Sequence, residues 1–293
     1  MFLLPFAEYS YAQTEKLYRA HKLYLEKKFD LARGAIDSAI SHEETKNLSE
    51  THTVRAFIYF ELYKRNEKNN IESKLRDTII QSIYRSEKLN PDSTNHNNNM
   101  KLIYNIAVNY FNLANNIFTE RKDAELAEKL YFKHKELMKV YNSNMDFKSK
   151  DIEFYNALGS YFASEFTYLT DQKNMIDINL SEKAKIYLSK VIELDSENEL
   201  ANFNLGLMNY AEAVYLIKNL DAATDLSQLD VVQENASKLA KKAEAFILKV
   251  YNKNNSNKKA VEALYYVYRA LYDKEKYTEF EKKCNELGIQ VNK

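Results

Sequence analysis

Asparagine recurs at positions 105, 109, 112 and 116, at separations of four, three and four residues. If the stretch is helical, that spacing puts Asn105, Asn109, Asn112 and Asn116 on one face. A carboxamide both donates and accepts, so such a row can hold an extended peptide by its backbone, whatever the peptide's sequence. Each bond would contribute about 0.5–1.5 kcal/mol net. The same residues would serve equally well as a solvated face. Asn156 and Ser160 offer similar chemistry further along. A second cluster, Tyr265, Tyr266, Arg269 and Tyr272, brings together rings, hydroxyls and a guanidinium that suit either a peptide or a sugar.

Other chemistry is thinly represented. The five histidines, His21, His42, His52, His96 and His134, make no pair at metal-binding spacing. His42-Glu43-Glu44 has the start of a zinc-protease helix, but the second histidine would fall at position 46, which is Lys46. Cys284 is the only cysteine, so no intramolecular disulfide can form, and its place in an apolar pattern marks it as a small packed hydrophobe. The four glycines are isolated, which leaves no phosphate-cradling loop. No metal, no cofactor and no catalytic centre are therefore expected.

Charge narrows the partners. With 42 basic and 42 acidic residues the chain lacks the net positive charge that drives non-specific nucleic-acid affinity, so nucleic acid is not an expected partner. The balance is uneven locally: residues 195–237 hold eight acids and one base, whereas residues 238–293 hold thirteen bases and seven acids. Such a step could orient a charged partner or simply be two solvated faces. No apolar run approaches the roughly 18 residues that span a bilayer. The first twelve residues, MFLLPFAEYSYA, lack Lys and Arg and end Ser10-Tyr11-Ala12. Small residues at 10 and 12, Ser10 and Ala12, resemble the end of a secretory signal peptide cut after Ala12. On that reading the chain is exported to the periplasm or cell envelope, and with no cysteine near the cut no lipid anchor is expected. Otherwise residues 1–12 are a frayed start and the chain is cytoplasmic.

These residues must be positioned by helices. Four glycines and two prolines are too few for the turns of an all-β fold. Apolar residues instead recur at helical spacing between Asn-rich breaks. In Ser181–Ala211, Ala184, Leu188 and Val191 share one helical face, a polar break follows at Asp195–Asn198, and a second helix carries Leu205-Gly206. Glycine within a helix costs about 1 kcal/mol against alanine, so Gly206 implies a neighbour in close contact.

Ala184, Leu188, Val191 and the turn Leu194-Asp195-Ser196, followed by Leu205-Gly206, resemble the second helix of one tetratricopeptide repeat and the first helix of the next. Phe29, Ala32, Ile36 and Ala39 repeat the second-helix pattern, Leu89-Asn90-Pro91-Asp92 resembles its exit turn, and Tyr155, Leu158, Gly159 and Phe162 resemble the first helix. The resemblance implies an all-α, right-handed α-solenoid of about six antiparallel helix pairs spanning residues 13–293. The units fall at about 14–41, 49–91, 100–142, 149–196, 197–252 and 258–288. Markers at Ala32, Ile79, Ala127, Ala184, Ala243 and Phe280 lie 47, 48, 57, 59 and 37 residues apart. All exceed the family's period of about 34, so longer helices or inserted loops are expected, the latter at 171–180 and 219–234.

By the same resemblance, first helices line a concave surface, which puts Asn109, Asn112 and Asn116 at groove positions of peptide-binding relatives. The family's carboxylate clamp is not reproduced, because Leu17 and His21 stand where Lys and Asn are needed. The expected function is a non-catalytic scaffold that holds a protein or peptide segment within a larger, envelope-associated complex. The expected site is Asn105, Asn109, Asn112, Asn116, Asn156, Ser160, Tyr265, Arg269 and Tyr272. Two alternatives are an envelope glycan-binding protein that uses the tyrosine cluster and an intracellular repeat regulator.

Overall fold

The computed structural model describes residues 6–91, 94–220 and 225–292, with side chains from residue 15 onward except 226 and 227. Every regular element among the described residues is an α-helix. In order they are α1 (Phe6–Leu25), α2 (Phe29–Ile40), α3 (Ser49–Asn66), α4 (Lys74–Leu89), α5 (His96–Arg121) and α6 (Ala124–Tyr141), then α7 (Lys148–Lys173), α8 (Ile178–Leu194), α9 (Glu199–Lys218), α10 (Leu226–Lys253), α11 (Lys258–Ala270) and α12 (Lys274–Glu286). Residues 6–12, part of the candidate signal remnant, belong to α1, and residues 1–5 lie outside the described residues.

The chain divides into two compact units, Met1–Met145 and Asp146–Lys293. In the first, the hairpins α1–α2, α3–α4 and α5–α6 stack through α2 on α3, α4 on α5, and the first helices on one another. In the second, α7–α8, α9–α10 and α11–α12 stack in the same way, with α9 touching both α7 and α11. This all-α stacking of pair on pair is what the resemblance implies. A single pair has one apolar face to hide, and its neighbour hides it. The six markers, Ala32, Ile79, Ala127, Ala184, Ala243 and Phe280, are all buried. The close neighbour expected at Gly206 is present, and Gly159 has one as well. A Cβ on Gly159 would lie 2.6 Å from Leu188 Cγ, and one on Gly206 would collide with Ile247 Cγ1.

Polar residues set the helix boundaries. Ser73, Asp123, Asp177, Asp225 and Asp273 cap the second helices by accepting backbone N–H groups of the first turn, each cap contributing about 1 kcal/mol. Between pairs a different device recurs. α4, α6, α8 and α10 end on Asn90, Asn142, Asp195 and Asn254, all extended with φ between −155° and −147°. In three of these, the side chain accepts the N–H two residues on: Asn144 to Asn142, Glu197 to Asp195 and Ser256 to Asn254. Asn198 and Asn257 then cap α9 and α11. Within pairs, Lys27, Lys122, Asn174 and Tyr272 take left-handed φ values of 58°, 56°, 49° and 57°. A glycine would adopt that conformation without strain.

Two loop expectations need correction. Only residues 174–177 separate α7 from α8, because α7 runs through 171–173 and Asp177 caps α8. Likewise 226–234 belongs to α10, which Asp225 starts, so the insertion expected at 219–234 does not extend past Asp225. Helix extension, more than looping, lengthens these pairs.

Candidate peptide-binding face

The asparagine row on α5 is split by its neighbours. Asn105, Asn112 and Asn116 are exposed and have no hydrogen-bond partner among the described residues. Asn109 is buried and already engaged: its Oδ1 accepts from Tyr63 Oη at 2.5 Å and its Nδ2 donates to the Lys68 carbonyl at 3.1 Å. Arg76 joins this network. Its guanidinium lies 4.2 Å over the Tyr110 ring and donates to the Ile71 carbonyl, with no acidic partner among the described residues. At 1% exposure Arg76 is a core residue that bolts the α3–α4 turn to α5. A second buried cluster holds the start of α5, where Thr53 donates to Asn99, and Asn99 donates to Ser86 and Glu87. The expectation that Asn109 faces a ligand is therefore corrected. It satisfies the Tyr63 hydroxyl as acceptor and the Lys68 carbonyl as donor, groups that would otherwise be costly to leave unpaired.

In the second unit, Asn156 and Ser160 also turn to the protein. Asn156 Nδ2 donates to Asn198 Oδ1 at 3.1 Å, and Asn204 Nδ2 donates to Ser160 Oγ at 2.8 Å. Asn174 and Asn219 exchange hydrogen bonds at 2.9 and 3.2 Å. Polar side chains thus lace the seam between α7 and α9 from end to end.

The tyrosine cluster also divides. Tyr265 is 3% exposed, packed in the core, and offers no stacking platform for a sugar. Tyr272 is 86% exposed at the α11–α12 turn, and its left-handed backbone closes that turn through Tyr272 N–H to Arg269 O and Asp273 N–H to Tyr268 O. Arg269 and Tyr266 remain on the face of α11. Arg269 donates to Tyr265 Oη at 3.4 Å and to the backbone carbonyl of Asn292 at 2.6 Å. Tyr266 Oη accepts the Asn292 N–H at 3.2 Å. The segment after α12 therefore lies on α11 with the backbone N–H and C=O of one residue, Asn292, both held.

Apolar residues pack the core behind α11. Phe203, Leu207 and Tyr210 of α9, spaced four and three, pack against the cluster built on Val261, Leu264 and Tyr265, as do Tyr266, Ile289 and Val291. Burial, together with the nearby Asp171 carboxylate, pushes the Tyr210 hydroxyl up to about 12, so it stays a neutral donor at any ordinary pH. Phe203, Leu207 and Tyr210 are partners that sequence reasoning missed; their helical spacing was the available signal.

Other candidates close on themselves. A cleft of about 330 Å³ between α8, α9 and α10 is lined by Ile176, Ile178, Leu216 and Leu239. Its polar groups are already joined, with Ser181 Oγ and Lys185 Nζ both donating to Glu212 Oε1 at 2.6 and 2.7 Å. The charge step is spent partly within the fold: Lys249 lies 3.3 Å from Glu197, Lys253 donates to the Glu197 carbonyl, and Asn257 donates to Glu199. Cys284 is fully buried, and burial pushes its thiol up to about 11, as suits a packed hydrophobe.

No family model matches the chain, and no curated protein matches it. Among solved structures, it is similar to one described as PilW, a widely conserved type IV pilus biogenesis factor, at 13% identity. The alignment covers 94% of this chain and 93% of that one with a TM-score of 0.29. A likeness of that size carries no weight for fold or function, so the assignments rest on the helices themselves.

Proposed function

We propose that the chain is a non-catalytic scaffold of tetratricopeptide-repeat type that holds an extended protein segment on the first-helix face of its second unit, as one component of a larger complex. The observation that carries this reading is the seat of Ile289–Asn292. A backbone N–H and C=O are held by the Tyr266 hydroxyl and the Arg269 guanidinium, beside an apolar floor. That chemistry grips main chain and asks only for apolar side chains at alternate positions, which suits a scaffold that recognises segments.

A random-peptide display selection on the full chain tests this. Enrichment of segments with alternating apolar residues is expected, and it should vanish on the Tyr266→Phe/Arg269→Ala chain. No enrichment, or enrichment indifferent to that double change, overturns the reading. Export is proposed on the Ser10-Tyr11-Ala12 step, and no helix among the described residues is long and apolar enough to cross a membrane. Mass spectrometry of the mature protein decides it: a start at Gln13 supports an envelope location, and a retained Met1 contradicts it.

A further inference from the structure

The segment after α12 is placed by the chain's own geometry. Gly288 takes φ of +69°, its N–H bonds Asn285 O, and the Ile289 N–H bonds Cys284 O at 2.8 Å. This closes α12 and turns the chain back over α11. The next residues alternate: Ile289 and Val291 are half-buried on the apolar cluster, whereas Gln290 and Asn292 are exposed. An extended strand lying on a surface shows that period.

The place it occupies has an internal counterpart. The helix caps Asn198 and Asn257 fix α9 and α11 in the same register, 59 residues apart, so Tyr266 and Arg269 stand where Leu207 and Tyr210 stand on α9. On α9 those two residues are covered by packing against the α11 cluster. On α11 their counterparts, half-buried Tyr266 and exposed Arg269, hydrogen-bond instead to non-helical chain at Asn292. The two residue types differ in a telling way: an apolar Leu–Tyr pair suits a permanent helix neighbour, and a Tyr–Arg pair suits a peptide backbone. Arg269 makes no ion pair among the described residues, so its remaining donors are open to a carbonyl or carboxylate. The hold is slight. Two hydrogen bonds and two half-buried aliphatic side chains roughly offset the entropy of ordering four residues.

We propose that Ile289–Asn292 is a built-in competitor, a pseudo-ligand on the Tyr266/Arg269 face that an extended segment of the same chemistry, apolar at alternate positions, must displace. The proposal rests on the peptide-binding reading above and adds its regulation. Tethering gives such a competitor a high local concentration, so it suppresses weak ligands and admits tight ones.

The test titrates a fluorescent peptide of residues 288–293, Gly-Ile-Gln-Val-Asn-Lys, and a scrambled control, against the full chain and a chain ending at Gly288. The shortened chain is expected to bind the peptide at least tenfold more tightly than the full chain, to ignore the scrambled one, and to lose binding with Arg269→Ala. A segment selected by display should also bind the shortened chain more tightly, and should raise hydrogen exchange at 289–292 in the full chain. If selected segments bind both chains equally, the binding face stands and the competitor is overturned. If a folded shortened chain binds neither peptide, both are overturned, and Ile289–Asn292 is packing alone. Should the shortened chain fail to fold, Ile289→Asp/Val291→Asp in the full chain frees the segment without removing it, and the same titration decides.

Discussion

The α5 face of the first unit and the α11 face of the second are both rows of polar side chains on first helices, yet the fold uses them in opposite ways. On α5, Asn109 is drawn into a buried network with Tyr63 and the Lys68 carbonyl, and its three companions are exposed with no hydrogen-bond partner among the described residues. On α11, the polar groups stand beside half-buried Ile289 and Val291 and hold the backbone N–H and C=O of Asn292. A hydrogen-bonding side chain binds a segment well only where an apolar surface beside it removes water. Polarity without a floor is solvated, and polarity inside a seam is structural.

The largest effect that would break this comparison is in the packing beneath the second face. Gly206→Val should drive its side chain into Ile247 and cost about 3 kcal/mol. Hydrogen exchange should show protection lost across α9–α11 and retained in α1–α6. Next, Asn109→Ala should cost the first unit about 1 kcal/mol by leaving the Tyr63 hydroxyl and the Lys68 carbonyl only their longer, 3.3 Å bond to each other, read as a lower urea midpoint. Alkaline titration comes third. The Tyr210 hydroxyl is raised to about 12 and that of Tyr268 is raised by burial and the Glu244 carboxylate. A phenol whose folded pKa exceeds its unfolded value near 10 gives stability that is full below about pH 10 and lost as pH rises through the folded value. The second unit should therefore weaken above pH 10 by about 1 kcal/mol, and Tyr210→Phe should blunt the fall. Smaller again, Tyr272→Gly should relieve the left-handed backbone and stabilise by about 0.5–1 kcal/mol, seen as a higher Tm. Smallest of all, Asn112→Ala/Asn116→Ala should change stability by less than about 0.5 kcal/mol and leave segment capture intact. Loss of capture there would reverse the comparison.

Sequence periodicity carried the architecture far. Ala184, Leu188 and Val191 identified a second helix, and Gly206 announced its close neighbour, because both signals are local and few conformations satisfy them. The two supposed insertions were legible too, but the signal lay in Asp177 and Asp225 as helix caps rather than in the polar look of 171–180 and 219–234. The site was less legible. At 3.6 residues per turn Asn109 sits about 20–60° around the helix from Asn105, Asn112 and Asn116, and that small offset turns it toward α3 and α4. Only the neighbouring helices decide between solvent and core at such an angle. Tyr265 and Tyr266 are adjacent in sequence and point one into the core and the other to the face, a distinction fixed by the register of α11 on α9. Asn292 could not be linked to Arg269 without the turn at Gly288.

The most direct measurement is hydrogen exchange of the full chain with and without a display-selected extended peptide at saturating concentration. New protection confined to α11, residues 261–269, with faster exchange at 289–292, is the expected result. Protection along residues 105–116, with α9 and α11 unchanged, would contradict the assignment of the binding face.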